Sequence, residues 1–125
     1  MSKISEQFMA KLARMGITRL NAIQCAVAEV DAHVQRLMLL APTGSGKTVA
    51  YAIALLRGMR PAAPGQAPTA LVLAPSRELA QQIYDVIRPL ATPEFKTVVV
   101  CGGRSADSEV PSLTSATPPD IVIAT

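Results

Sequence analysis

One octapeptide constrains this chain more than anything else in it: Ala41-Pro42-Thr43-Gly44-Ser45-Gly46-Lys47-Thr48. It follows the apolar run Leu37-Met38-Leu39-Leu40 and precedes Val49 to Leu56, which contains no glycine, proline or charge. An apolar run, a glycine-rich turn and a helix start, in that order, are the setting in which such a loop wraps an anion. Gly44 and Gly46 let the backbone turn its N–H groups toward the anion with no side chain in the way. The helix start adds partial positive charge. Lys47 is placed to reach terminal phosphates and Thr48 to ligate Mg²⁺, so these two are the candidate catalytic residues. The candidate phosphate-binding set is Thr43, Gly44, Ser45, Gly46, Lys47 and Thr48, with Thr48 the candidate metal ligand. The pattern departs from the usual phosphate loop only at its first position, Ala41 in place of glycine. A glycine-rich turn that happens to hold Lys-Thr is the plainer alternative, and the loop by itself names no reaction.

The flanking sequence supplies the rest of an α/β domain. Ile4, Phe8 and Leu12 recur at helical spacing and Gly16 stands where a helix would end. Asn21 is placed to cap a second helix bearing Ile23, Val27 and Val30. Leu37 to Ala41 reads as a buried strand, and a helix is expected from near Gly46 through Leu56. Residues 60–68, with three prolines and a glycine, read as an exposed loop. Ala70 to Leu73 is a second strand. Ser76 caps a helix whose expected inner face is Leu79, Ile83, Val86 and Leu90. Thr97 to Cys101 and Ile121 to Ile123 are two further strands. Continuously apolar strands separated by helices predict a parallel sheet with helices on both faces.

Bulk properties exclude more than they identify. The 125 residues suit one domain, and 50% of them are apolar, enough for a packed aliphatic core. A net charge of +3 from scattered basic residues permits a nucleic-acid partner without arguing for one. Cys25 and Cys101 lack metal-ligand spacing and are expected to be buried free thiols in a reducing compartment, a disulfide being the alternative. No signal-peptide pattern and no apolar stretch of about 20 residues is present, so no membrane partner is expected and a cytoplasmic location follows by default. His33 is expected at the surface.

A second motif narrows the field. Ala74-Pro75-Ser76-Arg77-Glu78-Leu79-Ala80-Gln81-Gln82 resembles the Pro-Thr-Arg-Glu-Leu-Ala-x-Gln segment of the DEAD-box RNA helicases, with Ser76 for the usual threonine. The phosphate loop, with alanine first, resembles theirs as well. Gly102-Gly103 is similar to their glycine doublet, and Asp120 to Thr125 to the strand that runs on into Pro-Gly-Arg. Upstream, Gly16 to Gln24 resembles the adenine-reading Q motif, matching at Gly16, Ile23 and Gln24. Ile17 replaces its usual aromatic and Leu20 its usual proline. The resemblance implies a phosphate-loop NTPase fold of RecA type, truncated, with a Q-motif-like helical segment over 1–36 and an α/β portion over 37–125. It implies binding of ATP and Mg²⁺, with Gln24 reading adenine through an amide that pairs with N6 and N7. It also implies RNA-backbone contact by Pro75, Ser76, Arg77, Gly102 and Gly103. The plainer alternatives are an exposed helix residue for Gln24, a surface ion pair with Glu78 or Asp85 for Arg77, and a tight turn for Gly102-Gly103.

Phosphoryl transfer needs an acidic pair around Mg²⁺ and an arginine at the transition state. None of Glu29, Asp31, Glu94, Asp107, Glu109 or Asp120 follows a strand in a suitable place. The tripeptide Ser115-Ala116-Thr117 precedes the Ile121 strand and so sits wrongly for the family's coupling motif. The resemblance places the acidic motif and a second RecA-like domain beyond Thr125. The expectation is therefore the ATP-binding part of an ATP-dependent RNA helicase, inactive alone and prone to self-association along an unpaired Leu37–Leu40 edge. A nucleotide-binding module without helicase activity and a DNA translocase of the same superfamily are the alternatives.

Overall fold

A computed structural model describes residues 5–31, 33–61, 63, 67–101 and 118–125. They form two compact units, 1–57 and 58–125.

The first unit holds α1 (Glu6–Arg14), α2 (Ala22–Ala28) and α3 (Lys47–Leu56). Ser5 caps α1, its hydroxyl accepting the Phe8 N–H, with Glu6 in the first turn and Lys11 and Arg14 in the last. Those charges complement the helix dipole. Gly16 ends the helix at φ 85°. Ile17 N–H donates to Leu12 O and Gly16 N–H to Ala13 O, satisfying the last carbonyls. Leu12 is fully buried. Asn21 and Gln24 form a reciprocal capping box at the start of α2. Helix α3 buries Val49, Ala50, Ala52, Ile53 and Leu56 and packs against α2. Arg57 Nη1 donates to Ala28 O at 3.2 Å, tying the end of α3 to the last carbonyls of α2.

The strand expected at Leu37 to Ala41 does not form: the segment belongs to no sheet. Leu37, Met38 and Leu40 are exposed, Leu40 at 85%. Among the described residues, nothing hydrogen-bonds the backbone of 35–40. A short apolar run has the composition of a buried strand, but only a paired neighbour makes it one.

The second unit holds β1 (Ala70–Leu73), α4 (Arg77–Ala91), β2 (Thr97–Val100) and β3 (Ile121–Ala124). The strands form a parallel sheet in the order β1-β3-β2. Ala70 and Thr97 both stand opposite Ile121, and Leu73 and Val100 opposite Ala124. As the central strand, β3 buries Ile121, Val122 and Ile123 together, which is why it reads as an unbroken apolar run. Asp120, 5% exposed, fastens the three strand starts. Its Oδ2 accepts the Lys96 N–H at 2.8 Å, its N–H donates to Lys96 O at 2.9 Å, and its carbonyl accepts from Thr69 N and Ala70 N.

Helix α4 packs on β2 and β3 and begins at Ser76, whose hydroxyl accepts the Leu79 N–H at 3.1 Å. Its inner face is Ala80, Ile83, Ile87, Leu90 and Ala91. Ile83 and Leu90 are buried as expected, whereas Leu79 is exposed and Val86 half-buried, their places on the inner face being taken by Ala80 and Ile87. Leu79 lies in the first turn, where the chain has just left the sheet, so the buried stripe starts with Ala80. Cys25 and Cys101 are free thiols, but Cys25 is exposed and Cys101 half-buried, contrary to the expectation of burial for both. Cys25 follows Gln24 directly on α2, and Gln24 takes the inward direction.

Candidate phosphate-binding site

The loop geometry follows from its glycines. Gly44 and Gly46 both lie at φ 82°, the left-handed region that other residues enter at a cost of about 1–2 kcal/mol. Gly46 is the N-cap of α3 and has no side chain to offer the first turn. Ser45 N–H donates to Pro42 O, but the N–H groups of Gly46, Lys47 and Thr48 have no acceptor among the described residues. Successive N–H groups without an acceptor at a helix start, with no acidic residue in the first turn, are what binding an anion there requires. Lys47 Nζ donates to Ala41 O at 2.7 Å, so the ammonium spans the loop from the helix to its first residue. These features fit a polyphosphate. Burial raises the pKa of Tyr51 and a hydrogen bond with the Thr48 side chain opposes the rise. Tyr51, a residue not singled out from the sequence, follows Thr48 by three positions on α3. Ser45 Oγ is buried without a partner among the described residues.

The N-terminal motif lies directly against this loop. Asn21 Nδ2 donates to Ser45 O at 2.8 Å, and Gln24 Nε2 donates to Gly46 O at 3.3 Å. Within the capping box, Gln24 Oε1 accepts the Asn21 N–H and Asn21 Oδ1 accepts the Gln24 N–H, both at 3.0 Å. Gln24 is only 4% exposed, which removes the reading of an ordinary exposed helix residue. Each of its amide atoms uses one of two capacities, leaving one lone pair on Oε1 and one N–H on Nε2. Capping chemistry was legible for Asn21; the use of its amide nitrogen on the loop was not, because that contact spans 24 residues.

Among the described residues, no group of three His, Cys, Asp or Glu side chains could hold a metal ion. In the second unit, Pro75 and Arg77 are exposed at the start of α4 and Ser76 is half-buried. Arg77 makes no ion pair among the described residues, since Asp85 instead accepts from Gln81 Nε2 at 3.0 Å. Gly102, Gly103 and Ser115 to Thr117 lie outside the described residues. His33 is exposed and bonds Asp31 at 2.9 Å.

A family model described as DEAD/DEAH box helicase matches residues 21–125. DEAD-box ATP-dependent RNA helicase 9 of Oryza sativa subsp. japonica is 36% identical over 98% of this chain, which spans 19% of that protein. DEAD-box ATP-dependent RNA helicase 3B, chloroplastic, of Zea mays is 35% identical over 98% of the chain and 17% of its own length. The crystal structure of the RNA-helicase Prp28 from Chaetomium thermophilum bound to ADP superposes with a TM-score of 0.82 at 32% identity, covering 98% of this chain and 30% of that one. A DEAD box protein from Methanococcus jannaschii gives 0.80 at 26% identity, covering 98% of this chain and 33% of that one.

Proposed function

Since the chain belongs to the DEAD/DEAH box helicase family, we propose that it is the nucleotide-binding part of an ATP-driven RNA helicase. One observation carries the reading: the N–H groups of Gly46, Lys47 and Thr48 have no acceptor among the described residues at the start of α3, on a loop spanned by the Lys47 ammonium and buttressed by Asn21 and Gln24. Thr43 to Lys47 hold the phosphates, and Thr48 ligates Mg²⁺ bound with them. Gln24 reads adenine with its remaining lone pair and N–H, the complement of N6–H and N7. Guanine presents an acceptor at O6 and leaves that lone pair unpaired. Pro75, Ser76 and Arg77, with Gly102 and Gly103, contact the RNA backbone and carry no sequence preference. The exposed Leu37–Leu40 run supports self-association, and the free thiols support a cytoplasmic setting.

The test is competition of ATP and GTP against a fluorescent ADP analogue bound to the chain. ATP is expected to compete more strongly, and Gln24→Ala to erode the difference. Equal competition in the unaltered protein removes the adenine assignment, and no binding of the analogue removes the nucleotide site.

A further inference from the structure

We propose that Arg57 is a positioning residue for Gln24, fixing from the far end of α3 the short helix on which that amide stands. The proposal rests on the adenine reading given above. Helix α2 has seven residues, about 10 Å at 1.5 Å per residue, too few to hold a helix together in water. Its place is therefore set by what it is fastened to. It packs on α3, and the buried residues of the two helices are aliphatic: Val27 and Ala28 on α2, Ala50, Ile53 and Leu56 on α3. Burial of apolar surface has no direction, so this contact holds α2 down without setting its register. Hydrogen bonds at the two ends do that.

The last carbonyls of a helix find no partner within it. In α2 the Cys25 carbonyl accepts the Glu29 N–H and the Val27 carbonyl the Val30 N–H, both at 3.1 Å. Ala28 is 2% exposed, which leaves its carbonyl almost no water, and among the described residues Arg57 Nη1 alone reaches it, at 3.2 Å. A guanidinium suits that place twice, as a charged donor and as a cation at the negative end of a helix dipole. Arg57 is itself anchored where α3 stops, its N–H donating to Ile53 O at 3.2 Å. So α2 is bound to α3 end to end by Arg57, as it is start to start by Gln24 Nε2 on Gly46 O. The latter bond, at 3.3 Å, exceeds the usual upper limit of about 3.2 Å. It is the one that yields when the far end of α2 is released, and with it goes the aim of the Gln24 amide.

The experiment compares the full chain with Arg57→Met, which keeps an unbranched side chain but carries no donor, and with Ser5→Ala, which removes the cap of α1 and lowers stability away from α2. It measures competition by ATP, GTP and tripolyphosphate against a fluorescent ADP analogue, thermal melting, and the NMR signal of the Gln24 side-chain amide without nucleotide. Both variants should melt lower. Only Arg57→Met should reduce the preference for ATP over GTP, about threefold, within the scale of one net hydrogen bond. Tripolyphosphate should compete as before, because Ala50 N still holds the Gly46 carbonyl. The Gln24 amide signal should shift in Arg57→Met and stay in Ser5→Ala. In a Gln24→Ala background, Arg57→Met should reduce the preference no further. An unchanged preference in Arg57→Met, or an equal loss in Ser5→Ala, would show that Arg57 stabilises the fold and nothing more. If the unaltered chain binds no analogue or does not prefer ATP, the adenine reading falls, and an unchanged Gln24 signal in Arg57→Met then overturns the positioning role separately.

Discussion

Gly44 and Gly46 share one left-handed φ and differ in what surrounds them, so alanine at each weighs the contact between the loop and α2. Both have φ 82°. A Cβ at Gly44 meets nothing within 4 Å, whereas one at Gly46 comes within 2.6 Å of Gln24 Nε2 and 2.8 Å of Asn21 Nδ2. Gly44→Ala therefore carries the left-handed cost, about 1–2 kcal/mol, less about 0.5 kcal/mol recovered from the unfolded chain. Gly46→Ala carries the same terms and must also displace two amides. These are the ends of flexible side chains and can move, but moving them breaks the bonds to Ser45 O and Gly46 O. At about 1 kcal/mol each, Gly46→Ala should cost about 2 kcal/mol more than Gly44→Ala, roughly thirtyfold in the folding constant. Urea unfolding followed by far-UV circular dichroism measures both. Asn21→Ala in the Gly46→Ala background should cost less than the two single costs added, because the first change removes half the clash. Equal costs for the two glycines, or strict additivity in the double variant, would refute the contact.

Lys47→Ala should weaken binding of a fluorescent ADP analogue at least tenfold at matched Mg²⁺, because Lys47 supplies the loop's side-chain charge; unchanged affinity removes that role. Arg77→Ala should weaken RNA binding about equally across sequences and lower the salt slope by about 1, as a phosphate contact does; a loss that varies with sequence would speak for base contact. The chain should self-associate in sedimentation at micromolar concentration, and Leu40→Lys should shift it toward monomer by placing charge on the exposed run. A monomer at every concentration ends that reading.

Local signals in the sequence located most elements. Ser5, Asn21 and Ser76 each cap the helix that follows, because a cap is settled within four residues. The apolar runs at Ala70 and Ile121 are strands because each meets a parallel partner. The same composition at Leu37 to Leu40 misled, since pairing is a property of two segments and a run carries no record of its neighbour. The error at Leu79 was of another kind: helical periodicity gives the spacing of a buried face but not where along the first turn it begins.

The candidate site divides along the same line. The left-handed turns of Gly44 and Gly46 and the helix start at Lys47 are legible because their spacing is local. What holds them in place is not, for it comes from Asn21 and Gln24, 24 and 22 residues away. Gly46 joins the two levels. Its φ alone would ask for glycine, as it does at Gly16 and Gly58, where a Cβ meets open space. At Gly46 the same residue is favoured a second time, by two amides that a methyl group would have to displace. Substitution at Gly16 or Gly58 therefore tests backbone strain alone, while substitution at Gly46 tests strain together with the fit of α2 against the loop. A loop sequence chosen only to turn the backbone would satisfy the first demand, and only one matched to Asn21 and Gln24 satisfies the second.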